Sequence, residues 1–409
     1  MKKLLLLVLA ATLLLGACAN ASAAGYDGKL VTQSIEPLDD VFVQGIGDFG
    51  FSAASALYTP DQNLALSPVS IELALCMARA GANGATKDEM TAALRLSGLS
   101  DDEIAAACKA LMWRANTGGM EAANALWLLA NYKYNDDYIK TSTEDYMADL
   151  KPLAIPGAMD DINAWAEEKT HGRIDKILQQ EPSADTRMII TNALYYLGEW
   201  ELPFEADRTS DGDFAAPNGT SSVSYMKSER HVPYYANEVF SMISLRFRSE
   251  ADEGRYAMAF LLPAEGSSVA ELLSSMNGGK FQNALHNAEA QEVWIRLPKF
   301  EFGCFTSLAD TLQAMGMQKA FSPSDADFSG VTDYEDLFIS HVLHKCYIRV
   351  DEMGAEAAAV TVVEEPAAEA PSEELPPQFY ADRPFLFAIY SLEDGVIAFL
   401  GAINDPSQK

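Results

Sequence analysis

The spacing of apolar positions divides the chain into a helical first half and a strand-rich second half. Residues 49–57 repeat their apolar positions at helical spacing. Residues 68–80 do the same behind Ser67, which reads as an N-cap with Pro68 in the first helical position. Segments 86–94 and 101–113 continue the pattern with acidic first turns, and 160–170 adds a short helix holding Asn163 and Trp165. From Met188 the residue types change. Segments 188–196, 242–247, 256–262 and 293–297 are rich in β-branched and aromatic residues and predict strands. Helices are predicted again at 269–276 and 307–315, with strands at 343–351 and within 385–403. No repeat or long linker interrupts this run, so the pattern predicts one mixed domain, of α+β class, over 38–409.

One stretch fits neither half. Val350 to Thr361 is built of Ala, Val and Thr, small enough to enter a crowded sheet. Residues 362–377 are instead rich in Pro, Glu and Ala and read as exposed loop. Side chains alternate faces along a strand. Counted as a strand from Ala355, residues Ala355, Ala357, Ala359, Thr361 and Val363 share an uncharged face fit for a core. Glu356, Ala358, Val360, Val362 and Glu364 share the other, with glutamate at both ends. Insertion would stop near Glu364 or Glu365, because Glu365 is the next core-facing residue and Pro366 removes a ladder donor. A segment able to occupy two places points to a conformational trap.

The N-terminus adds an address. Lys2-Lys3 precede an apolar run from Leu4 to Leu15, and Leu15-Gly16-Ala17-Cys18 resembles a bacterial lipobox. The expectation is a signal peptide over 1–17, lipidation at Cys18 and a flexible tether over 18–37, which makes an exported protein, either a bacterial cell-surface lipoprotein or secreted. Membrane attachment would come only through that lipid. Net charge of -30, from 59 acidic and 29 basic residues, repels nucleic acid and anionic lipid. Cys76, Cys108, Cys304 and Cys346 are expected as four buried free thiols, with no Cys-x-x-Cys. The five histidines, at 171, 231, 286, 341 and 344, have no ligand spacing, and no Gly-x-Ser-x-Gly elbow marks a hydrolase. Neither a metal nor a cofactor is expected.

Short motifs in a fixed order then carry a resemblance. They are Asn63 to Ser70 with Gly81 to Thr86, Ile162 to Trp165 with Thr170 to Ile174, and Thr191 to Trp200. Leu297-Pro298-Lys299-Phe300, Ala326 to Gly330, Val350 to Ala359 and Phe379 to Phe387 follow. Together they resemble the serpin family of serine protease inhibitors. The resemblance implies about nine helices around three β-sheets, with an exposed reactive-centre loop between Gly354 and Pro377. It implies a monomeric, irreversible inhibitor that is cleaved, traps the protease as a covalent acyl-enzyme and inserts its loop as a strand in the main sheet.

Residue by residue, the resemblance makes Glu352, Gly354, Ala355, Glu356, Ala357, Ala358 and Ala359 the hinge. It assigns Ser67, Ser70, Asn192 and His344 to a polar latch under the main sheet, and Glu352 with Lys299 and Trp200 to its upper end. Family spacing from Glu352 puts the reactive bond at Ala368-Glu369, while counting back from the C-terminal prolines gives Glu373-Glu374. A bond at Ala368 follows closely on the end of insertion and suits an elastase-like or subtilisin-like protease. The alternatives are a Glu-specific or cysteine protease as target, or a non-inhibitory member acting as a surface binding protein. No Lys or Arg lies between Arg349 and Arg383, which disfavours a trypsin-like target.

Overall fold

A helix starts where Ser67 meets Pro68, and the Ser67 hydroxyl accepts the Ser70 N–H at 3.1 Å as its N-cap. The computed structural model describes residues 38–408, apart from 118–119, 147, 197, 249–255, 335 and 356–374. The expectations for the signal peptide, Cys18 and the tether therefore lie outside the described residues, as do those for Glu356, Ala357, Ala358, Ala359, Ala368, Glu369, Glu373 and Glu374.

In chain order the elements are α1 (Asp40–Leu57), β1 (Leu64–Leu66), α2 (Pro68–Ala80), α3 (Gly84–Ala93), α4 (Asp101–Thr117), β2 (Met120–Leu129), α5 (Asp136–Glu144), β3 (Asp149–Leu153), α6 (Ala158–Lys169), β4 (Met188–Tyr196) and β5 (Gly198–Glu199). The second half holds β6 (Ser210–Ala216), β7 (Gly219–Ala236), β8 (Phe240–Arg246), β9 (Tyr256–Pro263), α7 (Val269–Ser275), α8 (Gly278–His286), β10 (Glu289–Pro298), β11 (Phe300–Ser307), α9 (Ala309–Ala314), β12 (Ile339–Val350), β13 (Gly354–Ala355), β14 (Gln378–Tyr380), β15 (Phe385–Ser391) and β16 (Ile397–Ile403). Among the described residues these make nine α-helices and three sheets, a mixed α+β architecture.

The first half is less helical than its pattern predicts. Its strand β2 runs through Ala, Met and Leu, residues with high helix propensity, yet it pairs with β4 on one side and β3 on the other. Two ladders outweigh that local preference. The segment expected as a helix from 307 to 315 likewise gives its first residue to β11, and α9 begins at Ala309.

The five-stranded sheet has the order β11-β12-β4-β2-β3. The pairs β11–β12 and β4–β2 are antiparallel, whereas β12–β4 between them and β2–β3 at the far edge are parallel. Residues alternate between its two faces. Ile189, Ala193 and Leu343 pack under α6 against Ile162, Trp165 and Ala166. Met188, Ile190 and Val342 face the opposite core, which also holds the apolar side of α2. Both central strands thus lie between one helix above and one below.

A nine-stranded sheet forms the second core, with Phe379, Phe385 and Phe387 fully buried in it. The four cysteines among the described residues are free, but Cys304 is only partly buried. Its strand β11 is the edge of the five-stranded sheet, so the expectation of four buried thiols holds for three.

Candidate functional site

At the end of β12 the chain reverses. Asp351 and Gly354 pair with each other, the Asp351 N–H reaching Gly354 O at 3.0 Å, and Gly354–Ala355 then runs antiparallel to Gly198–Glu199. These residues come down beside the strand that follows β4. Gly354 has φ +146, a conformation side-chain-bearing residues rarely adopt, and a Cβ there would sit 2.1 Å from Gly198 O. Ala355 is already buried, at 1% exposure.

Trp200 braces this turn. Its backbone N–H donates to Met353 O at 2.8 Å, and its indole N–H donates to Asp351 O at 2.9 Å. The ring stacks on Phe247 with centroids 4.7 Å apart. Beside it, Lys299 Nζ lies 2.7 Å from Glu352 Oε2, while the Thr209 hydroxyl donates to Glu352 Oε1 at 2.8 Å. Burial opposes ionisation of Glu352, but the Lys299 and Thr209 hydrogen bonds outweigh it and hold the carboxyl below its ordinary value.

Lower in the sheet, the four residues assigned to a latch converge. His344 and Asn192 are register partners in the parallel β12–β4 ladder. The Ser67 N–H donates to His344 Nε2 at 3.1 Å, so Nδ1 carries the proton and donates to Asn192 Oδ1 at 2.5 Å. The Asn192 amide donates to both Ser70 Oγ and Asn124 Oδ1. Ser67 Oγ donates to Ala398 O at 2.6 Å, tying the cluster to β16. Burial drives the His344 pKa down to about 3, so the ring is neutral.

Asn124 is the member that sequence reading missed. It lies directly opposite Asn192 across β2–β4, and its only signal was one amide inside an apolar run. Thr209 was missed as well, because nothing local links it to Glu352.

A parallel seam flanked by antiparallel pairs is an unusual place for a chain to turn back. A strand continuing from Ala355 would run antiparallel to β12, and therefore antiparallel to β4 too.

Comparison with known proteins agrees with this architecture. The family model for serpins (serine protease inhibitor) matches residues 44–406. An uncharacterised serpin-like protein of Thermococcus kodakarensis is 36% identical over 373 residues, covering 89% of this chain and 85% of that protein. Intracellular coagulation inhibitor 2 of Tachypleus tridentatus is 29% identical, covering 88% of this chain and 90% of its own length. The crystal structure of tengpin, a thermophilic serpin, in its native state superposes with a TM-score of 0.83 at 30% identity, over 91% of this chain and 96% of that one. With the match spanning nearly all of the described fold, the chain belongs to the serpin family.

Proposed function

We propose that the protein is a single-use inhibitor of serine proteases, exported by its N-terminal signal. The protease cleaves the loop beyond Ala355, is held as an acyl-enzyme, and is carried away as the loop enters the β12–β4 seam. The observation that carries this reading is the turn at Asp351–Gly354, which aims the chain down a seam whose two sides are parallel. Ten residues from Ala355 to Glu364 would gain ladders on both sides. At a net ~0.5–1.5 kcal/mol per hydrogen bond, that favours insertion by on the order of 10 kcal/mol.

The favoured bond is Ala368-Glu369, which suits the small apolar pocket of an elastase-like or subtilisin-like enzyme. Mixing the protein with elastase and running a denaturing gel tests this. The expected result is a denaturant-stable complex whose released peptide begins at Glu369. A peptide beginning at Glu374 moves the bond, and cleavage without any complex removes the inhibitory reading.

A further inference from the structure

We propose that Cys304 and Cys346 form a redox site, a thiol pair that closes into a cross-strand disulfide. The two residues are direct partners in the antiparallel β11–β12 ladder, so their side chains lie on the same face of the sheet. Directly opposed residues of such a ladder have Cα atoms ~4.5 or ~5.5 Å apart, and both distances lie within the range a disulfide spans. The pair is also asymmetric in access. Cys304 is partly buried on the edge strand, while Cys346 is fully buried. The neighbouring Cys346 thiol draws the Cys304 pKa down to about 6, giving that sulfur thiolate character at neutral pH.

The chemistry needs an external disulfide, such as glutathione disulfide. The Cys304 thiolate attacks one sulfur, forming a mixed disulfide and releasing a glutathione thiolate, which takes the Cys346 proton. The Cys346 sulfur then attacks the Cys304 sulfur and displaces the second glutathione thiolate. One external disulfide is reduced to two thiols, and the protein pair is oxidised.

Closure would reach the latch. The Cys346 thiol donates to Ala65 O at 3.3 Å, and Ala65 lies two residues before Ser67. The disulfide consumes that proton and so removes this one hydrogen bond between β12 and β1 while fastening β12 to β11. Cys76 and Cys108 provide an internal control, since both are fully buried.

The test incubates the reduced full chain with glutathione disulfide, blocks free thiols with iodoacetamide and digests without reductant. The expected product is a linked peptide pair joining Cys304 to Cys346, lighter by two hydrogens and separated by dithiothreitol. Cys76 and Cys108 are expected to be alkylated only after denaturation. Cys304→Ser, a near-isosteric change on the edge strand, should abolish the link and leave Cys346 unmodified in the folded chain. A lasting glutathione adduct on Cys304 with no link, or an unmodified Cys304, overturns the proposal.

Discussion

His344 Nδ1 and Asn192 Oδ1 lie 2.5 Å apart across the seam between β12 and β4, so any strand entering there must first separate them. The imidazole is neutral in the fold and its pKa is about 3, against an ordinary 6.5. The unfolded chain therefore binds a proton below pH 6.5 that the folded chain refuses until about pH 3. Stability from this group is complete above 6.5 and falls as pH drops, by up to about 1.4 kcal/mol per pH unit. Urea titrations of wild type and His344→Gln between pH 7 and 4 check it. The variant should show a shallower loss towards acid, and parallel curves would remove His344 as the cause.

Gly354→Ala should be costly for its size. The new methyl meets the Gly198 backbone, and φ +146 is strained for alanine. Strain of this kind costs about 1–3 kcal/mol. The β13–β5 pairing should be lost with it, so limited proteolysis near Ala355 should speed up while the rest of the chain resists.

Alternation along the entering strand gives a paired test. Ala359→Glu places a charge on the face turned to the core, and cleavage by elastase should then outrun trapping, leaving cut protein without a complex. Ala358→Glu places the same charge in solvent and should still trap. Equal behaviour of the two variants on denaturing gels contradicts the alternation.

Glu352→Gln should weaken the upper end of the seam. The Lys299–Glu352 pair is partly exposed, so its loss is worth about 1 kcal/mol. The visible effect should be premature opening, read as polymers on native gels during mild heating. Because the folded carboxyl titrates below its ordinary 4.5, the pair contributes fully above that pH and fades as pH falls further. An unchanged rate of polymer formation would place the restraint elsewhere.

Legibility in the sequence followed locality. Strand β4 spans Met188–Tyr196, the bounds its β-branched and aromatic residues predict, and α2 starts and stops where its cap and spacing place it. Strand β2 was hidden because its residues favour helix until two neighbours pair with them. The two-residue strands β5 and β13 have no periodicity at all and exist only through each other. Four latch residues were found through motif order, whereas Asn124 needed the β2–β4 register. The Cys304–Cys346 pairing likewise comes from the β11–β12 register, which spacing between distant cysteines does not encode.

The reversal at Gly354 bears on timing. A trap of this kind runs a race between hydrolysis of the acyl bond and closure of the sheet. Starting a new hairpin from free chain takes about 1–10 μs and carries the entropic barrier of the first contacts. Here Asp351 already pairs with Gly354, and Gly354–Ala355 with Gly198–Glu199, beside the top of that sheet. Under the proposed mechanism, what would remain after cleavage is elongation from an existing nucleus, which would give the loop a head start.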